Sequence, residues 1–230
     1  PTIFSDLKDI DNTRNELNQN IEEMISSDQT TTLNIDTQLM KPVHFDLSYD
    51  QYDNLLINKK CVNFYRKIYP QLNKINLLKK NLTNRIKIGF VSEYLTDHTI
   101  GKLFKGIILN LNKKEFDIKI FHTAKTKKGK IYEEFADAEK TGQIKNFILP
   151  TMFEDKQKII ANEELDILFY PEIGLSLEIY YLSFIRLAGY QVTSWGHPET
   201  TGNNTIDYFL TSKLIESENS EKNFSEKLLY

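Results

Sequence analysis

A single cysteine, Cys61, stands among 230 residues, so there is no internal disulfide framework and the chain suits a reducing, cytoplasmic compartment. A dominant charge sign is also missing. Lysines and arginines number 29 against 32 aspartates and glutamates, net −3, which gives no global electrostatic basis for binding nucleic acid. No run approaches the roughly 18 to 20 consecutive apolar residues of a membrane span, and no basic-then-apolar signal opens the chain. Four histidines and one cysteine show no metal-ligand spacing, so no metal is expected. Gly-x-Ser-x-Gly, Walker and Gly-x-Gly-x-x-Gly strings are absent, which removes the usual hydrolase, P-loop and dinucleotide readings. In a cytoplasmic setting the three Asn-x-Ser/Thr sites, at Asn81, Asn203 and Asn223, read as chance.

What is present fits a soluble globular protein, with 40% hydrophobic and 27% charged residues, large enough for one α/β domain plus an extension. Residues 3 to 27 carry Ile3, Leu7, Ile10, Leu17, Ile21, Met24 and Ile25 near helical spacing. Asp9 and Asp11 inside that segment point well apart on a helix, so they read as a solvated face and not as a metal-binding pair. Residues 28 to 48 are polar and weakly periodic, a loop passing into an extended strip. Helical spacing returns over Tyr52 to Tyr69, and a polar connector runs from Gln71 to Asn84.

From Arg85 the pattern alternates. Strands are expected at 86–92, 116–122, 146–149, 165–170, 190–195 and 206–211. Helices are expected at 100–111, 131–138, 154–161 and 177–187. Repeated strand–helix units predict a Rossmann-like parallel sheet with helices on both faces, here over residues 85–230 and preceded by a helical extension over 1–84. Lysines between Lys125 and Lys130 lack interleaved aromatics and read as a solvated loop. The chain begins with Pro1, not Met, and a further strand starts near Leu228, so the sequence is expected to be cut at both ends.

In an open parallel sheet, ligands bind outside the carboxyl ends of the strands. Three polar segments fall there: Glu93 to Gly101 with His98, Pro171 to Gly174 with Glu172, and Trp195-Gly196-His197-Pro198-Glu199-Thr200-Thr201-Gly202. If the sheet is parallel, His98, Glu172 and His197 share one rim. Imidazole titrates nearest neutrality, and a glycine- and threonine-bearing loop offers amides and hydroxyls to a sugar or an anion. A structural role competes at His98, since Asp97 or Thr99 could cap the helix that follows. His122 ends a strand without such a cluster, and His44 sits in the N-terminal strip.

These strings together resemble the N-terminal half of the catalytic region of the O-GlcNAc transferase family, which includes SPINDLY-like proteins and the cytoplasmic adhesin glycosyltransferases. The resemblance rests on Lys87-Ile88-Gly89-Phe90-Val91-Ser92 with Asp97-His98-Thr99-Ile100-Gly101, Leu165 to Tyr170, Arg186-Leu187-Ala188, Gln191 to Gly202, Ile206-Asp207-Tyr208, and Phe224 to Leu228. It implies one lobe of a GT-B fold, the acceptor-side lobe of an inverting, metal-independent enzyme that transfers sugar from a UDP-sugar to a protein. The second lobe, which carries most nucleotide contacts, would follow Tyr230, so this stretch alone is expected to be inactive.

By the same resemblance His98 matches a family histidine near donor sugar and acceptor, proposed in some schemes as a base. Gly196, His197, Pro198, Thr200, Thr201 and Gly202 match the segment lining the sugar and acceptor side, with Glu172 a further rim position. Animal and plant members carry an aromatic residue where His197 stands; the adhesin glycosyltransferases carry histidine. Members with a second histidine in the 165–170 strand have no counterpart here, because Asp166 occupies that position. A non-catalytic sugar-, nucleotide- or protein-binding module with the same fold is the alternative.

Overall fold

The computed structural model describes residues 4–28, 31–50, 52–76 and 83–230; Ile3 of the first helical pattern and the Asn81 site lie outside them. The extension opens with α1 (Leu7–Ser26), whose first turn is capped by Asp6 accepting from Asp9 N at 2.9 Å. Asp9 and Asp11 go separate ways: Asp9 accepts from Ser5 N at 3.1 Å and Asp11 from the Tyr52 hydroxyl at 2.6 Å. The strip read as loop and extended chain contains a short helix, α2 (His44–Leu47). Then comes α3 (Leu55–Ile68), which passes into a 3₁₀ turn at Pro70–Asn73, where proline has no amide to continue the helix.

Seven strands follow: β1 (Ile86–Ser92), β2 (Phe116–His122), β3 (Lys145–Ile148), β4 (Ile167–Tyr170), β5 (Tyr190–Ser194), β6 (Tyr208–Leu210) and β7 (Lys227–Leu229). All pair in parallel, in the order β3-β2-β1-β4-β5-β6-β7. Between them lie α4 (Thr99–Asn110), α5 (Lys130–Lys140), α6 (Phe153–Ala161) and α7 (Leu177–Leu182). The expected Rossmann-like fold is the observed one, with strands β4 and β6 each beginning two residues later than the sequence pattern suggests.

Strand alternation sorts the side chains into two cores. Ile88, Phe90, Ile118, Ile120, Phe169 and Val192 pack under α4 and α5, against Ile100, Phe104, Ile108, Ile131 and Phe135. Val91, Phe121, Leu168 and Tyr170 face the other way, toward Phe153 and Ile160 of α6 and Ile179 to Leu182 of α7. The extension joins this second core. Tyr65 and Tyr69 meet Tyr181 edge-on at centroid distances of 5.5 and 5.2 Å, and the Arg66 guanidinium lies over the Phe184 ring at 5.3 Å. The expected division at residue 84 is thus one along the chain, with a core common to both parts. Among the described residues no helix is long and apolar enough to cross a membrane.

The helix expected over 177–187 stops at Leu182. Ser183 Oγ donates back to Tyr180 O at 2.6 Å, and the amides of Phe184 and Ile185 bond only three residues back, so the last turn tightens. Carbonyls released by that change are taken from afar: Asn203 Nδ2 donates to Ser183 O at 3.2 Å and Arg66 Nη2 to Phe184 O at 3.0 Å.

Candidate functional site

The strand order reverses between β1 and β4, and a crevice outside their carboxyl ends is where open α/β sheets bind ligands. β1 runs out into Glu93 to His98, β4 into Pro171 to Leu175. His98 is exposed and is itself the N-cap of α4: its backbone is extended (φ −99°, ψ 163°) and Nδ1 accepts from Ile100 N at 3.3 Å. Its ring stacks on Tyr94, centroids 4.5 Å apart and planes 28° from parallel.

This stacked pair is a wall shared by two clefts. One, of about 350 Å³, is also lined by Lys125, Lys127 and Lys128. The other, of about 330 Å³, lies against Pro42 and Phe45 of the extension and Gly174 and Leu175 of the β4 loop. Glu93 and Asp97 line the first beside its three lysines, and Lys41 lines the second.

Asp97, expected as a candidate cap for α4, caps α5 instead. Its carboxylate accepts from Lys130 N at 2.9 Å and Ile131 N at 2.8 Å, and these amides hold it below the usual carboxylate range. Gly129 makes room for it, since a Cβ there would sit 2.6 Å from Asp97 Oδ2. The lysine loop is thereby drawn beside His98. Lys125 pairs with Glu178 at 2.8 Å, and Lys156 meets the same carboxylate at 3.0 Å. Burial of Glu178 works against its charge, but the two lysines hold its carboxyl below the ordinary range.

Glu172 does not reach the rim. It is wholly buried beneath it, where Ser92 Oγ donates to its Oε1 at 2.8 Å and Tyr94 N donates to Ser92 Oγ at 2.8 Å. Burial drives its carboxyl well above the ordinary range. His197 is also inside, 2% exposed, stacked on Phe45 at 5.7 Å, and it lines neither cleft. His98 alone of the three expected rim residues stands on the rim.

The loop around His197 is held from behind. A Cβ on Gly196 would lie 2.2 Å from Pro171 O, so glycine permits the β5 exit to cross the β4 exit. Pro198 is exposed. Thr200 Oγ1 donates to Glu226 Oε2 at 2.7 Å, Thr201 N donates to Glu226 Oε1 at 2.9 Å, and Thr201 Oγ1 donates to the same oxygen. Asn58 of α3 donates to Thr200 O at 2.9 Å, and Asn54 donates to Glu199 Oε2 at 3.1 Å. Gly202, at φ +66°, lies so close to α3 that a Cβ would come within 2.6 Å of its backbone. Both threonine hydroxyls therefore face inward to Glu226, away from the clefts.

Sequence reasoning missed Tyr94, Ser92, Phe45 and Glu226. Tyr94 and Ser92 lie within or beside the quoted β1 segment and Glu226 within the quoted tail, but no spacing signals their pairing. Phe45 carries no sequence signal at all. Among the described residues, no group of three or more His, Cys, Asp or Glu could hold a metal ion.

No family model and no curated protein matches the chain. A solved structure of an O-GlcNAc transferase mutant from Thermobaculum terrenum is similar to it, with a TM-score of 0.65 and 17% sequence identity. The alignment covers 81% of this chain and 35% of that one, so the chain spans about a third of that protein's length. At this identity the likeness is one of architecture: the seven-stranded parallel sheet with its helical extension has the fold of one part of a glycosyltransferase.

Proposed function

We propose that the chain is the acceptor-side lobe of an inverting, metal-independent protein glycosyltransferase that uses a UDP-sugar. The observation carrying this reading is the placement of His98: an exposed imidazole on the rim of the β1–β4 crevice, in the wall between two clefts, one lined by Glu93, Asp97 and three lysines, the other lying against the extension. In the reaction, a hydroxyl or amide of the acceptor protein attacks the anomeric carbon, and the bond to the diphosphate oxygen breaks on the opposite face. The cleft supplies orientation and exclusion of water, and a second lobe supplies the nucleotide contacts. His197 aligns the chain with the adhesin type within the family, and the free cysteine Cys61 supports a cytoplasmic setting.

The inward-facing Thr200 and Thr201 favour a second reading, a non-catalytic module that keeps the fold and binds sugar, nucleotide or protein. One experiment separates the two. Full-length protein is incubated with UDP-GlcNAc or UDP-glucose and candidate acceptor proteins, and transferred sugar is read by mass spectrometry. Transfer by the full-length protein, with none by residues 1–230 alone, is the expected outcome. Binding of UDP-sugar without transfer supports the module, and turnover by the 230 residues alone contradicts the one-lobe reading.

A further inference from the structure

Ser92, at the end of β1, and the two residues after it are laced one by one to the β4 exit. Ser92 Oγ donates to Glu172 Oε1 at 2.8 Å, Ser176 Oγ donates to Glu93 Oε2 at 2.6 Å, and the Tyr94 hydroxyl reaches Leu175 O at 3.5 Å. Tyr94 N in turn donates to Ser92 Oγ at 2.8 Å, so the innermost bond supports the ring that stacks on His98. The wall between the two clefts is thus founded on Ser92 and Glu172, neither of which lines a cleft.

Glutamine at 172 would accept from Ser92 as well, yet the chain carries an acid there. The side chain is wholly buried, its Oε2 has no hydrogen-bond partner, and among the described residues no cation pairs with it. Desolvating an unpaired carboxylate costs more than the single Ser92 bond returns, and the nearby Glu93 adds repulsion. The carboxyl is therefore neutral while it stays inside, and it carries a charge only by reaching water. Two residues on, Gly174 sits at φ +121°, a joint in the segment between β4 and α7 that side-chain-bearing residues rarely adopt.

We propose that Glu172 is a pH-sensitive latch between the β1 and β4 exits, closed when neutral and opened by loss of its proton to solvent. On opening, the carboxylate leaves the interior, Ser92 loses its acceptor, and the bond from Tyr94 N to Ser92 slackens. The wall of Tyr94, His98 and Leu175 then loosens. Glu172 and Ser92 are positioning residues in this scheme. The latch stands on these contacts alone, and its effect on turnover rests on the transferase reading above.

The Tyr94 amide reports the latch directly. In ¹⁵N-tyrosine-labelled protein it is identified by its loss in Tyr94→Phe, then followed from the ordinary glutamate range, about pH 4.3, into the alkaline. Wild type is expected to show a one-proton shift of this amide with faster solvent exchange, and Glu172→Gln to show neither. Glu93→Gln keeps an acceptor for Ser176 but removes the neighbouring charge, so there the shift is expected at lower pH. No shift in wild type, a shift that persists in Glu172→Gln, or one that vanishes in Glu93→Gln overturns the proposal.

Other titratable groups on the neighbouring elements are Glu93, Tyr94, His98, Glu178, His197 and Lys41. Glu172→Gln leaves all of them unchanged, so any pH dependence they cause persists in that variant. In the full-length protein, kcat/KM is expected to fall about tenfold per pH unit once the latch opens, and Glu172→Gln to lack that limb. An identical alkaline limb in both proteins overturns the link to turnover. A full-length protein with no turnover removes the transferase reading instead, and the Tyr94 amide still decides the latch.

Discussion

Glu172 shows how a single buried acid links the site to pH. Burial raises its carboxyl well above the ordinary range in the folded chain. The folded chain therefore keeps a proton that the unfolded chain releases above about pH 4.3. Stability attributable to this group is fully present below that pH and is lost as the pH rises, by about 1.4 kcal/mol per pH unit until the folded carboxyl also ionises. Glu172→Gln still accepts from Ser92 but cannot ionise. It is expected to be more stable than wild type at pH 7 and to converge with it near pH 4, as read by urea denaturation across that range. A gap that stays constant with pH would refute the assignment. Glu172 was legible in the sequence as a polar residue at a strand end, but its depth was not. The rim-or-interior choice depends on how the β1 and β4 exits close over it, and Ser92 is 80 residues away.

At the scale of elements, helix α4 and strands β1 and β2 could be read directly, because a stripe such as Ile100, Phe104 and Ile108 writes burial into spacing. The early end of α7 could not, since Asn203 and Arg66 decide it from 20 and 118 residues away. The cap of α5 was hidden for the same reason, because Asp97 precedes a different helix in the chain. The loop Gly196 to Gly202 is fastened between α3 and the residue before β7, and Glu226 is the fastener. Glu226→Ala would leave the Thr201 amide and hydroxyl buried without their acceptor, each costing about 1–3 kcal/mol, while the Thr200 hydroxyl keeps Ser225 Oγ at 3.1 Å. A marked fall in the urea midpoint is expected, together with protease cutting within 196–202 while the sheet survives. An unfolding free energy within about 0.5 kcal/mol of wild type, the size of an ordinary surface substitution, would show that the clamp contributes nothing.

Across the whole molecule, the extension and the sheet share the core built around Tyr65, Tyr69, Tyr180, Tyr181 and Phe184. Expression of residues 85–230 alone would uncover Tyr180, Tyr181 and Phe184, each side chain worth about 1.5–3 kcal/mol of burial. The truncated chain is expected to aggregate or to bind a hydrophobic dye with a broad melting transition; a soluble fragment with a sharp transition would show the core to be separable. Composition and alternation made the architecture legible, whereas a core common to both parts depends on contacts that no local pattern encodes.

The hydrogen bond from Asn58 to Thr200 spans 142 residues. On a ribosome α3 emerges long before the loop it must hold, and its apolar stripe, Cys61, Phe64, Tyr65 and Ile68, waits for α7 and the β5–β6 connection. Such long-range closure slows folding and prolongs exposure of sticky surface. The chain is thus built to finish late: α3 keeps its apolar stripe uncovered until the far side of the sheet has been synthesised.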